Sequence, residues 1–404
     1  MLQVNEPYAK ISSCSYCGDA PINHHLSFLE SVVSITLDNY AKKFIKYVPR
    51  GVKSFADLVP AFLFRTLAFL KLAEFSGDIN KANSFRSRII WEEAKKRGII
   101  MEQVIFLGKP LDHYRAVLQI KNKRKFFYFE SIPLRPEFLD INKNWDDKVV
   151  MKREFRKYNI PIPTYCEFSI FSFVHFQNIE DIFSKFKKPI IVKPRVGSRG
   201  RHTITNIHTL SQFTEGIKVV RQICSYFIAE EHLQGSVCRA TLVDGVLAGF
   251  YKGTAPTLVG DGKKTIRELI IEADSKRQTR VLSIRISKEL HDHISRSGFK
   301  VDDILPIDIP LSLSHRIGRL FGGRTKEMIE DLHPSFIPIL KKAAKIVNLS
   351  VVGFDCIIPD PSIDEASQKW GIIECNSLPF IDLHYYALEG KPKNIAGMIW
   401  DLWN

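Results

Sequence analysis

The stretch "GIIECNSLPF" (371–380) reads as a buried β-strand, with Ile372 and Ile373 followed by Cys375, yet it carries Glu374 and Asn376. A carboxylate in an apolar run costs several kcal/mol of desolvation unless something pairs with it. Residues two apart on a strand share a face, so Glu374 and Asn376 project together while Ile373 and Cys375 face the other way. A second apolar run, "VVGFDCII" (351–358), places Asp355 in the same kind of setting. If the two strands pair, Asp355, Glu374 and Asn376 form one oxygen-rich face. Hard divalent cations, Mg²⁺ above all, take carboxylate and carbonyl oxygens together with phosphates. The competing reading is a carboxylate salt-bridged to an arginine at a sheet edge.

Working outward, hydrophobic periodicity and capping signals predict helices near 27–47, 55–75, 84–97, 148–159, 209–223, 264–277, 286–297, 334–347 and 392–403. Thr209 is the expected cap of the fifth. Strands are expected at 116–120, 126–130, 189–194, 202–207, 226–233, 237–243, 246–253, 351–358 and 371–376. Asp244-Gly245 between two of them is a type I′ hairpin signal. Hairpins mixed with helices, rather than strict βαβ alternation, predict an α/β (α+β) protein with mainly antiparallel sheets. The two prolines and charged end of "SIPLRPEFLDINKNWDD" (131–147) mark a boundary. Residues 1–140 form an expected N-terminal domain, separate and mainly helical, of unread role.

The chain has 404 residues, 45% hydrophobic and 25% charged, and a formal charge of +14. That excess points to anionic partners without choosing among nucleotide phosphates, acidic small molecules, nucleic acid and membrane. The basic run "KNKRK" (121–125) stands alone, with no nucleic-acid-binding motif, and is read as a solvated turn; no nucleic-acid partner is expected. No apolar run reaches the roughly 18 residues of a membrane span. "FADLVPAFLFRTLAFLKLAEF" (55–75) is interrupted by Asp57, Pro60, Arg65 and Lys71, and reads as a core-packed amphipathic helix, with a membrane-surface helix as the alternative. "MLQVNEPYAKISS" (1–13) lacks the apolar region of a secretory signal. Cys224, Cys356 and Cys375 lie in apolar surroundings, as reduced core cysteines do, so a cytoplasmic location is expected.

Two further stretches carry chemistry. Lys193 follows "PIIV" and precedes Pro194 and the loop "RVGSRGR" (195–201). Backbone N–H groups around Gly197, Ser198 and Gly200, with the arginines, suit phosphate oxygens; a solvent-exposed Arg-rich turn is the alternative. "CSYCG" (14–18), with His24 and His25 nearby, holds a partial zinc ligand set, but one Cys-x-x-Cys is a weak signal and an ordinary polar segment is the default reading. No Ser-His-Asp spacing or nucleophile elbow occurs.

Residues 145–404 resemble the ATP-grasp ligases, most closely the ATP-grasp module of cyanophycin synthetases, shared with bifunctional glutathione synthetases. "APTLVGDGKKTIRELI" (255–270) is the most specific match. "KKPIIVKPRVGSRGR" (187–201), "FIAEEHLQG" (227–235), "LFGGRT" (320–325), "VVGFDCII", "GIIECNSLP" and "DLHYYALEGKPKNIAGMIWDL" (382–402) match in family order.

The resemblance implies two α+β subdomains clasping ATP, 141–228 and 229–404, within an ATP-grasp domain spanning 141–404. It implies an ATP- and Mg²⁺-dependent carboxylate–amine ligase that forms a peptide or amide bond through an acyl phosphate, on an amino acid or peptide. By motif, Lys148 and Lys193 hold ATP phosphates, with Gly197, Ser198 and Gly200 in the loop. Glu230, Glu231, His232 and Leu233 form the adenine-binding linker. Asp355, Glu374 and Asn376 ligate Mg²⁺, expected as two ions with Mn²⁺ as a substitute. Arg316 and Lys193 steady the transferring phosphoryl group. Arg239, Phe380 and His384 are expected on the substrate side. Homo-oligomers are common in the family. Val237 stands where relatives carry an acidic ribose contact, Gly318 where they carry Asn, and Phe380 where they carry Gly, so the substrate is expected to differ. No second ligase module follows the matching part, so synthesis of the two-amino-acid polymer by this chain alone is not expected. The alternatives are a non-catalytic nucleotide-binding relative, and a carboxylate–thiol ligase or kinase of the same fold.

Overall fold

The computed structural model describes residues 14–18, 21–45, 55–120, 123–135, 144–169 and 177–403. The reading of 1–13, the boundary near 140 and residues 121–122 of the basic run lie outside them. Two helices, α1 (His24–Ile45) and α2 (Phe55–Phe69), precede an antiparallel sheet of β1 (Ala73–Ser76), β2 (Ile100–Phe106), β3 (Lys109–Ile120) and β4 (Lys123–Glu130), with α3 (Phe85–Lys96) between its first two strands. This part therefore carries more sheet than its sequence shows. The run 55–75 does not stay helical, because Lys71 adopts φ +57° and the Leu72 N–H turns back to the Leu67 carbonyl at 2.9 Å. That left-handed stop ends α2, and Ala73 starts a strand. Among its described side chains Phe64 is buried, while Phe62, Leu63 and Phe69 are exposed.

Helix α4 (Lys148–Lys157) leads into a second antiparallel sheet with order β5 (Tyr165–Ser169), β8 (Tyr226–Glu231), β6 (Ile190–Pro194), β7 (Ile204–Ile207). Helices α5 (Gln177–Ser184) and α6 (Leu210–Val220) belong to this unit. Thr209 caps α6 in a reciprocal box with Gln212, as its sequence predicts. Replacing Thr209 with Ala should lower unfolding free energy by about 1 kcal/mol. A urea midpoint unchanged from wild type would contradict this.

The third sheet holds the opening stretch. Its order is β13 (Arg324–Glu327), β10 (Val246–Thr254), β9 (Ser236–Val243), β14 (Val351–Ile358), β15 (Gly371–Asn376), all antiparallel. Asp244 and Gly245 both take positive φ between β9 and β10, the backbone a type I′ turn needs. A small hairpin of β11 (Thr257–Val259) and β12 (Pro310–Ser312) is flanked by α7 (Ile266–Ser275) and α8 (Lys288–Ser295). Helix α9 (Phe336–Val347) covers one face of the large sheet through Phe336, Leu340 and Val347, against Phe250, Phe354 and Ile372. The short α10 (Asp382–Tyr385) and α11 (Ile395–Asp401) end the chain. Trp400 of α11 is fully buried with Ile89, Ile90 and Trp91 of α3, and its indole N–H donates to the Ile90 carbonyl at 2.9 Å. One core thus joins the first sheet to the C-terminal helix. Among the described residues no helix is long and apolar enough to cross a membrane.

Candidate active site

The strands of the opening stretch pair as expected. Asp355 lies directly opposite Glu374, and the Asn376 side-chain amide donates to Asp355 Oδ2 at 3.3 Å. The register extends one strand further, because Arg239 of β9 lies opposite Asp355 on its other side. Its guanidinium grips both carboxylate oxygens, Nε donating to Oδ1 and Nη2 to Oδ2, the latter at 2.7 Å. The arginine-paired carboxylate and the clustered carboxylates are therefore both present: Asp355 is in both.

Glu374 is compensated less well. Its nearest cation is Lys148 Nζ, 3.7 Å away. Burial, reinforced by the neighbouring Asp355 charge and opposed by Lys148, pushes the Glu374 carboxyl above its ordinary range. A partly buried carboxylate short of positive charge, beside a second carboxylate and an amide oxygen, fits a hard divalent cation.

Helix α4 supplies the lysines. Asp147 caps it, accepting from the Val149 N–H at 2.8 Å, and also holds the Arg195 guanidinium at 2.8–3.0 Å. One carboxylate thus ties the start of α4 to the start of the basic loop. Lys148 donates to the Gly197 carbonyl at 2.8 Å, fixing the middle of that loop beside Glu374. The loop backbone is sharply bent, with positive φ at Gly197, Arg199 and Gly200. Ser198 accepts from Arg201 at 3.0 Å through its hydroxyl, and the Gly200 carbonyl faces His315 Nε2 at 3.1 Å.

One turn further along α4, Lys152 meets Glu230 at 3.1 Å, and Lys193 of β6 meets the same carboxylate at 2.9 Å. Glu230 is 1% exposed. Burial opposes its ionisation, but Lys152 and Lys193 outweigh burial and hold it below the ordinary carboxylate range. Lys152 is pushed down to about 8 by burial, with Lys193 and Lys148 adding to the shift and Glu230 opposing it. Lys152 was missed from sequence; its spacing of four from Lys148 on a helix is the signal that identifies it.

The other expected residues are scattered. Glu231 accepts from the Thr164 N–H at 2.9 Å and pairs with Lys369, and Leu233 is buried. Among the buried side-chain nitrogens without a hydrogen-bond partner in the described residues are His232 Nδ1 and Arg239 Nη1. Orphaned buried donors of this kind fit a bound polar ligand. Phe380 lies between two guanidiniums, Arg199 of the basic loop at 5.4 Å and Arg86 at 5.0 Å.

Two expected residues are held by protein partners. Arg316 donates to Glu289 at 2.8 Å and to the Tyr16 carbonyl at 2.6 Å. Its Nη2 is thus tied to α8 and the N-terminal turn while its Nε has no partner among the described residues, and the arginine on the carboxylates is Arg239. His384 is fully buried, with Nδ1 donating to Glu327 at 2.6 Å and Nε2 at 2.8 Å from the Thr241 hydroxyl. Both ring nitrogens are occupied, so His384 braces β9 and β13.

Comparison with known proteins finds similar sequences. The chain is 25% identical over 325 residues to a cyanophycin synthetase of Trichormus variabilis, covering 78% of this chain and 34% of that protein. It is 26% identical over 329 residues to the glutathione biosynthesis bifunctional protein of Listeria monocytogenes, covering 78% of this chain and 40% of that protein. The chain resembles the ATP-grasp ligases. It spans between a third and two fifths of the length of these two relatives. No family model matches it. Among solved structures, a bifunctional glutathione synthetase from Pasteurella multocida aligns at 17% identity with a TM-score of 0.47, over 79% of this chain and 44% of that one.

Proposed function

We propose that this chain is an ATP- and Mg²⁺-dependent carboxylate–amine ligase that forms an amide or peptide bond on an amino acid or peptide. The observation that carries the reading is the convergence of Lys148 on Glu374 and on the basic loop at once, beside Asp355, Asn376 and Arg239. Phosphoryl transfer is mostly positioning and charge neutralisation, which calls for cations and carboxylate-held metal and no side-chain nucleophile. The relatives, a cyanophycin synthetase and a glutathione biosynthesis protein, support amino-acid-type substrates.

In this reading Lys148 and Lys193 bind the phosphates of ATP, with the backbone of 197–200 closing over them. The segment Glu230–Leu233 takes the adenine. Asp355, Glu374 and Asn376 hold Mg²⁺, which when bound neutralises charge on the phosphate oxygens. A substrate carboxylate oxygen attacks the γ-phosphorus and ADP leaves. The amine nitrogen then attacks the carbonyl carbon of the resulting acyl phosphate, the bond from that carbon to the phosphate oxygen breaks, inorganic phosphate leaves with that oxygen, and the nitrogen loses a proton to give the amide. Arg239 Nη1 and Phe380 lie on the substrate side.

The test is release of ADP and phosphate from ATP in the presence of a panel of amino acids, with mass spectrometry of the products. Turnover that requires both a carboxylate and an amine, with an amide product, is expected. A stable phosphorylated product identifies a kinase, a thioester a thiol ligase, and ATP binding without turnover across the panel a non-catalytic relative; each overturns the proposal.

A further inference from the structure

A second cluster of ligating side chains lies apart from Glu374 and Asp355, where the N-terminal turn meets the second sheet. Cys14 precedes and Cys17 ends the short turn Ser15–Cys17, His24 opens α1, and His202 comes from the segment between β6 and β7. Their ligating atoms all lie within 4.8 Å of one another. Cys17 Sγ is 3.2 Å from His24 Nε2 and 3.5 Å from His202 Nε2, and Cys14 Sγ is 3.6 Å from His202 Nε2. Zinc–sulfur bonds near 2.3 Å and zinc–nitrogen bonds near 2.0 Å at tetrahedral angles put neighbouring ligand atoms about 3.3–3.8 Å apart. The observed spacings are close to that.

Three further features agree. His202 Nδ1 donates to the Val219 carbonyl at 2.8 Å, which fixes the tautomer and leaves Nε2 aimed into the cluster. Cys17 is 1% exposed, His202 is fully buried, and Cys14 and His24 are partly buried, so the centre is largely shielded from solvent, as structural zinc sites are. Neither cysteine is in a disulfide among the described residues. The sequence paired the cysteines with both nearby histidines, but His25 is exposed and outside the cluster, and its place is taken by a histidine 178 residues beyond His24 in the chain.

We propose that Cys14, Cys17, His24 and His202 form a structural Cys₂His₂ zinc site that staples the N-terminal turn to the back of the phosphate-binding loop. Soft thiolates and imidazoles select zinc over the magnesium of the carboxylate cluster. The staple bears on the loop directly. The His202 N–H donates to the Tyr16 carbonyl at 3.2 Å, and Arg316 holds the same carbonyl at 2.6 Å.

Elemental analysis of the full chain, purified without chelators, tests this whether or not the ligase reading holds. About one zinc per chain is expected. Cys17→Ser and His202→Ala should fall to background, while His25→Ala and Glu374→Ala keep their zinc. Wild-type protein stripped of metal and loaded with Co²⁺ should show the visible bands of tetrahedral cobalt and a near-ultraviolet thiolate charge-transfer band. This readout does not depend on the variants folding. Wild-type protein without zinc and without these bands, or an intact mass showing a Cys14–Cys17 disulfide in freshly purified protein, overturns the site.

Discussion

Replacing Glu374 with alanine is expected to lower turnover by roughly a thousandfold, the scale seen when one preorganised group that stabilises transition-state charge is removed. Glu374 faces Asp355 across the strand pair and is 3.7 Å from Lys148, so it stands between the proposed metal position and a proposed phosphate-binding lysine. Glu374→Gln keeps the shape and loses the charge, and should behave nearly as badly. If Glu374 acts through Mg²⁺, both variants should also need more Mg²⁺ for half-maximal rate, while circular dichroism and thermal midpoint stay near wild type. Near-normal turnover in Glu374→Ala would sink the assignment of this carboxylate. A large loss of rate with unchanged Mg²⁺ dependence would give Glu374 a role through Lys148 instead.

How far this site can be read before folding depends on where the partner residues come from. Glu374 and Asn376 are legible because strand geometry has period two and both lie on one short strand. Asp355 follows once a second apolar strand carrying one acid is noticed. Arg239 as the partner of Asp355 is not legible, because the register of β9 against β14 is set by a pairing across 116 residues of chain. The same holds for His202, whose approach to Cys17 depends on how the N-terminal turn docks. Local signals fared better: the Thr209 cap and the Asp244-Gly245 turn each need only a few neighbours. The helices expected near 84–97, 148–159, 264–277 and 334–347 are α3, α4, α7 and α9 within a few residues at each end. In the run 55–75 composition misleads, since the apolar character continues through Lys71 while the backbone reverses there.

Glu230→Ala is expected to cost about 3–5 kcal/mol of stability, because it strands two buried ammonium groups. Lys152 has no exposed surface, Lys193 very little, and both lie within 3.1 Å of this one carboxylate. Chemical denaturation should show the loss, and adding Lys152→Met to Glu230→Ala should recover part of it, since the charge left unpaired is then removed as well. No recovery in the double variant would mean that the three groups are not one electrostatic unit. The pH dependence gives an independent check with a definite sign. Glu230 titrates below its unfolded value, so its contribution is fully present above the ordinary glutamate pKa and is lost as pH falls through the depressed one. Lys152 titrates near 8 in the folded protein, against about 10.4 for an unfolded lysine. Between those two values the unfolded chain binds more protons, so the Lys152 contribution makes stability rise with pH, by at most about 1.4 kcal/mol per unit. The difference in unfolding free energy between wild type and Lys152→Met should therefore shift in favour of wild type as pH goes from 8 to 10. A difference that stays flat over that range would show that Lys152 keeps an ordinary lysine pKa, and that the pull of Glu230 offsets the full cost of its burial.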